Sequence, residues 1–349
     1  MPFDVALAHK LYGTLFGPVD DLIGKATHLI YEPDGPLLQL PPNLLVVDQA
    51  SVNAYAARMR RAGADPFDFT HVAWLGRGRD ITTAVSPKAF ADVRAAPLSR
   101  AGRTYLGLGQ NLPPDPMASF LAPRPDVSLT DACAWPMDAW RNPIAADELV
   151  ATRDLLGAGQ SALLTGQDFT DTGIAARKDM ADYRVLHFAT HGLVTAPKPQ
   201  CPARPALMTS WGGAGSDGLL SFREIYDLRI DADLVLLSAC DTAGMATIDA
   251  TREAGVETGG NFALDGLVRA FVGAGARTVV ASHWPVPDDY AATKRLVLGL
   301  MGARPGVPVA TALRQAETAL MDDPATSHPF YWAAFAVVGD GSRPVSGAR

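Results

Sequence analysis

The stretch RVLHFATHGL, Arg184–Leu193, carries two histidines four positions apart. On a helix, that spacing would bring both rings to one metal ion. The β-branched and aromatic neighbours, with a glycine after the second ring, predict a strand instead. On one strand face, four positions span about 13 Å, so the two rings cannot share an ion. His187 then reads as a hydrogen-bonded core residue. His191 falls at the predicted strand end beside Gly192, where a ligand can approach the backbone. A thiol follows 49 residues later, Cys240 in LVLLSACDTAG, again at the end of an apolar run. A cysteine beside a histidine supplies a nucleophile and an acid–base group, the requirements for covalent acyl transfer.

Such a pair can meet only if two strands lie side by side. The second half of the chain alternates short apolar runs with amphipathic stretches. The runs are Ser161–Gly166, Arg184–Thr190, Pro205–Ser210, Leu234–Cys240, Thr278–Trp284 and Ala333–Gly339. The predicted helices are Asn142–Leu156, Thr172–Asp182, Phe222–Leu228, Phe262–Gly273, Asp288–Met301 and Val309–Met321. Near-continuous apolar strands between such helices predict an α/β fold with a largely parallel sheet covered on both faces. In that architecture, ligands gather beyond the carboxyl ends of the strands. Neighbouring strand tips lie about 4.8 Å apart, close enough for His191 and Cys240 to meet. The first half predicts a helix from Val5 to Lys25, a second helix from Ser51, and strands at His28–Pro33, Asn43–Asp48, His71–Gly76 and Thr104–Gly109. A proline-rich stretch, Asn111–Asp126, reads as a loop or linker.

Composition narrows the chemistry. The 349 residues are 48% hydrophobic and 19% charged, enough to bury a large core. A net charge of −7 without a basic run argues against nucleic acid as the main partner. No run approaches the roughly 18 apolar residues of a membrane span. MPFDVALAHKLYG at the start lacks the marks of a signal peptide, so the expected location is cytoplasmic. Three cysteines fit a reducing compartment without a disulfide framework, and Cys133 and Cys201 read as small buried apolar residues. No CxxC suggests a metal site, and GLGQN and GGAG lack the lysine of a phosphate loop, so neither metal nor cofactor is expected. No G-x-S-x-G elbow marks an ordinary serine hydrolase.

Several ordered motifs resemble the CHAT domain, a caspase-like cysteine peptidase domain of the caspase/separase clan. They are EPDGPLLQLP (Glu32–Pro41), VLHFATHG, DGLLSFREIYDLRIDADLVLLSACDTAG (Asp217–Gly244), GLVRAFVGAGARTVVASHWPVPD (Gly266–Asp288) and HPFYWAAFAVVGD (His328–Asp340). Caspases themselves carry Q-A-C-[RQG]-G with a histidine about 50 residues upstream. Here the sequence is SACDT, so the spacing and the Ala-Cys core agree while the rest departs.

The resemblance implies a three-layer caspase-like sandwich. It would place a degenerate caspase-like lobe over residues 1–125 and the peptidase lobe over 126–349. It assigns Cys240 as nucleophile and His191 as its partner, with Gly192 and Cys240 N–H groups as oxyanion donors. Ser238, Asp241 and Trp284 become substrate-pocket candidates. Asp249, Glu253 and Glu257 read as solvated side chains, with recognition of a basic substrate residue by one of them as the alternative, on a long glycine-rich loop placed like a lid or activation segment. The implied activity is cleavage of a protein partner, one encoded by a neighbouring gene and with a regulatory protein involved, in a bacterial defence or regulated cell-death system. The alternative is a catalytically silent module on the same fold, although neither dyad residue is lost. No tetratricopeptide repeat precedes the motifs, and a stand-alone protein and an excised domain both stay open.

Overall fold

The computed structural model describes residues 1–113, 133, 135, 140–193, 198, 200–201, 205–212, 215–240, 261–284 and 291–345. The side chains at 38–39, 239–240 and 261–266 fall outside that description. Among the described residues, ten strands follow in chain order: β1 His28–Tyr31, β2 Asp80–Thr83, β3 Arg103–Gly109, β4 Ser161–Thr165, β5 Tyr183–Leu193, β6 Ala206–Met208, β7 Leu219–Ser221, β8 Leu234–Cys240, β9 Thr278–Ser282 and β10 Phe335–Gly339. They divide between two compact units. One contains Met1–Pro33, Leu40–Phe90 and Val286–Arg349; the other contains Asp34–Gln39 and Ala91–Pro285.

The second unit holds the predicted parallel sheet. Its strands lie in the order β9, β8, β5, β3, β4, and every neighbouring pair is parallel. Helices cover both faces, as two consecutive residues of β5 show. Phe188 meets the Phe271 ring of helix Asn261–Ala274, with centroids 5.1 Å apart. His187, pointing the other way, meets Glu148 of helix Asp147–Leu156. Adjacent strand residues face opposite sides, so this contrast locates one helix layer on each. That is why β5 and β8 read as nearly continuous apolar runs: Leu186, Phe188, Leu234, Val235, Leu236 and Leu237 are all fully buried. Helix Asp147–Leu156 starts five residues later than expected. Beyond the parallel core, β6 pairs antiparallel with the end of β5 and with β7. A Ser221–Glu224 capping box then opens helix Phe222–Asp227.

The first unit contains β1, β2 and β10, with β2 parallel to each of the other two. Helix Val309–Met321 buries Val309, Ala312, Leu313, Ala316 and Leu320, the three- and four-residue spacing of an apolar helix face. Glu317 lies among them, 4% exposed, and accepts a hydrogen bond from Asn43 Nδ2 at 3.1 Å.

Several sequence expectations change here. The helix expected from Val5 to Lys25 is Val5–Phe16, a tight turn at Gly17–Val19, then Asp20–Lys25; Pro18 lacks the N–H that would continue it. Neither Asn43–Asp48 nor His71–Gly76 is a strand; the two meet only in the isolated bridge Val46 to Trp74, although Leu45 and Val46 are fully buried. An unalternating apolar run cannot distinguish a strand from a buried loop. Strand β2 went unread because Asp-Ile-Thr-Thr is half polar, yet Thr82 is fully buried between two neighbours.

The cysteine reading also needs correction. Cys201 is fully buried as expected, but it is disulfide-bonded to Cys133, with Cα atoms 5.4 Å apart across 68 residues of chain. The fold brings the two within bonding range, which no count of cysteines can foresee. The odd number therefore hides one bond, with Cys240 outside it, and no longer argues for a reducing compartment. No helix among the described residues is long and apolar enough to cross a membrane.

Candidate active site

The site is built from the carboxyl ends of neighbouring strands in the second unit. Strands β5 and β8 run in register from Val185–Leu234 to His191–Cys240, and that last pair ends their parallel ladder. Register partners on parallel neighbours share a face and lie about 4.8 Å apart. The backbone thus sets Cys240 directly beside His191. The same ladder pairs Ser238 with Ala189, two positions back on the same face, where Ser238 is 7% exposed. Past His191 the chain stays in β5, and Gly192 pairs with Leu207 of β6.

His191 is held firmly. Its Nε2 lies 2.6 Å from the Asn142 carbonyl oxygen. A carbonyl can only accept, so Nε2 carries the proton and, in the neutral ring, Nδ1 is the basic nitrogen. Burial lowers the pKa of the ring from its ordinary value, partly offset by the bond to Asn142. The Asn142 carbonyl is positioned from two sides. Pro143 restricts Asn142 to extended backbone. Two residues earlier, Trp140 is 2% exposed, donates from Nε1 to the Thr209 carbonyl at 3.0 Å, and packs on Trp211.

His187 takes the other role. It is fully buried, with Nδ1 2.9 Å from the Tyr105 hydroxyl and Nε2 2.9 Å from Glu148 Oε1. Gly107 makes room for this cluster: a Cβ there would meet the Tyr105 hydroxyl at 2.8 Å. Among the described residues no group of three or more potential ligands could hold a metal.

On the far side of β8, β9 pairs in parallel register, Leu237 with Ala281. His283 and Trp284 follow β9, their ring centroids 6.4 Å apart. Desolvation pulls the His283 pKa down to about 4, and its Nδ1 is buried without a partner among the described residues. Asp241, Asp249, Glu253 and Glu257, and the segment expected to act as a lid, lie outside the described residues.

Sequence reasoning missed the Asn142 carbonyl, since a backbone acceptor has no residue signature; Asn-Pro was the only local hint. It also missed the carboxylates bracing the β6–β7 hairpin. Asp171, 1% exposed, accepts from the Ser216 hydroxyl and the Asp217 N–H. Burial raises both carboxyls, Asp217 to about 6.

Known proteins place these features in context. Tetratricopeptide repeat protein 28 of Mus musculus is 33% identical over 125 residues, covering 35% of this chain and 4% of that protein. Its Homo sapiens counterpart is 27% identical over 241 residues, covering 58% and 9%. The chain therefore spans less than a tenth of the length of these relatives. Among solved structures, the Arg specific cysteine proteinase gingipain R (RGPB) has a TM-score of 0.46 at 10% identity, over 97% of this chain and 67% of that one. The complex of Porphyromonas gingivalis RgpB pro- and mature domains gives 0.45 at 12% identity, over 97% and 68%. The family described as CHAT domain matches residues 5–340, nearly the full length, and this chain belongs to it.

Proposed function

We propose that this chain is a cysteine endopeptidase acting on a protein partner, with Cys240 as nucleophile and His191 as acid–base group. The observation that carries this reading is the terminal register pair of β5 and β8, which sets a thiol-bearing residue beside a buried, oriented imidazole. Membership of the CHAT family supports it.

In this mechanism, His191 Nδ1 takes the Cys240 thiol proton and the thiolate attacks the scissile carbonyl carbon. The Gly192 and Cys240 N–H groups are the proposed donors to the resulting oxyanion. As the C–N bond breaks, Nδ1–H gives its proton to the departing amine. Water, deprotonated by Nδ1, then attacks the thioester; the C–S bond breaks and the thiol is restored. The imidazole stays oriented throughout, because Nε2–H remains on the Asn142 carbonyl. Ser238, small and neutral, with Asp241 and Trp284, is the proposed pocket for the side chain before the cut. The family resemblance suggests a bacterial defence or regulated cell-death setting.

The test co-expresses the product of a neighbouring gene with wild type, Cys240→Ala and His191→Ala and reads fragments by mass spectrometry. Cleavage by wild type alone is expected. A cut that survives Cys240→Ala refutes the mechanism. A partner bound but left intact by wild type favours a silent interaction module.

A further inference from the structure

The loop after β3 holds a side chain that neither the core nor the dyad uses. Asn111 is 0% exposed, and neither its Oδ1 nor its Nδ2 has a hydrogen-bond partner among the described residues. Buried amides are almost always paired, so an orphan calls for an explanation, and ligands of such a sheet bind beyond its carboxyl edge.

The position of Asn111 is tightly fixed. Gly109, two residues earlier, is the register partner of Ala189, two residues before His191. A Cβ on Gly109 would lie 2.2 Å from the Ala189 carbonyl oxygen, so only glycine lets β3 close this tightly on the strand that carries His191. Gln110 then takes φ 56°, the left-handed region that non-glycine residues avoid. Hydrogen bonds on both sides hold this backbone. Gly166 N–H donates to the Gln110 carbonyl at 3.1 Å, and Leu112 N–H donates to Ser210 Oγ at 2.8 Å. Ser210 Oγ in turn donates to the Gly166 carbonyl at 2.6 Å. Strained backbone persists where its surroundings over-determine it, and here they deliver an unpaired amide to the edge that carries His191 and Cys240.

We propose that Asn111 is a substrate-recognition residue of the same site, its side-chain amide hydrogen-bonding a peptide group of the protein substrate beside the scissile bond. The proposal rests on the peptidase reading above. A carboxamide offers an acceptor and donors side by side, matching the N–H and C=O of a peptide group. It is neutral, as a backbone ligand requires. Asn111 is fully buried here, so a substrate has to displace what covers the amide before pairing with it.

The test is Asn111→Leu, nearly the same size without polar atoms. Three quantities are read: the melting temperature, labelling of Cys240 by a pooled library of peptidyl acyloxymethyl ketones, and alkylation of Cys240 by iodoacetamide. The expected result is a melting temperature a few degrees higher, peptidyl labelling at least tenfold slower, and alkylation unchanged. A lower melting temperature with both reagents slowed assigns Asn111 a structural role and overturns the proposal. A higher melting temperature with both rates unchanged shows an idle or water-filled amide and also overturns it. No peptidyl labelling of wild-type Cys240, even with the product of the neighbouring gene present, removes the peptidase reading itself, whereas equal labelling of wild type and variant removes only this inference. If the leucine variant does not fold, Asn111→Ala is put through the same measurements.

Discussion

At the scale of single residues, both histidines are buried, and the partners of each ring set its role. His187 and His191 share a strand, but His187 has both nitrogens committed to Tyr105 and Glu148. His191 instead has Nε2 on the Asn142 carbonyl, which fixes the proton of the neutral ring on that nitrogen. Burial lowers the His191 pKa, so the neutral ring persists into mildly acidic solution. The acid limb of Cys240-dependent kcat/KM should therefore fall below pH 6.5, the ordinary histidine value; a limb above it would contradict the burial argument. Glu317 gives a second pH test in the other unit. Burial raises its carboxyl well above the ordinary value, opposed by the bond from Asn43 and the charge of Arg314. Above about pH 4.5 the unfolded carboxyl is ionised while the folded one keeps its proton, so rising pH erodes stability. Glu317→Gln should melt higher than wild type at pH 8 and close to it at pH 4, measured by scanning calorimetry. The sequence singled out His191 and Cys240 because reactive residue types at strand ends are visible as letters. Asn142 was invisible, because its contribution is a backbone carbonyl.

At the scale of elements, the ladder between β5 and β8 turns a separation of 49 residues into adjacent positions. Both strands were legible because strands buried on two faces cannot hide their composition. Strand β2 and the loop at Asn43–Asp48 were not: partner strands on both sides bury β2 despite its polar residues, and an apolar run is buried equally well as a loop. Trp140 shows how an element outside the sheet serves the site. Trp140→Ala removes a buried indole and its bond to Thr209, at a cost of about 3–5 kcal/mol in urea unfolding. It also frees the Asn142 carbonyl to drift from His191. Cleavage should then lose roughly tenfold or more in kcat with little change in KM, because orientation of the base matters in the transition state. A change confined to KM would show that Trp140 serves substrate binding instead.

At the scale of the whole molecule, one compact unit is assembled from both ends of the chain, and the other holds the Cys240 and His191 strands. The Cys133–Cys201 bond lies within the second unit. Breaking it by Cys133→Ser should cost about 2–5 kcal/mol, as expected for a crosslink closing a loop of this size. Hydrogen exchange should show β5 and β8 losing protection while β1 and β2 keep theirs. Equal loss in both units would show that they unfold as one. The sequence by itself determined the α/β class, the mostly parallel sheet and the apolar runs that lead into His191 and Cys240, because periodicity and apolar runs are local properties. Only the tertiary structure decided the register that pairs those residues, the carbonyl that orients the ring, the bond between two distant cysteines and the unpaired amide of Asn111. Each of these depends on which distant segments come within a few ångströms of one another, and that distance is not written in any local stretch of residues.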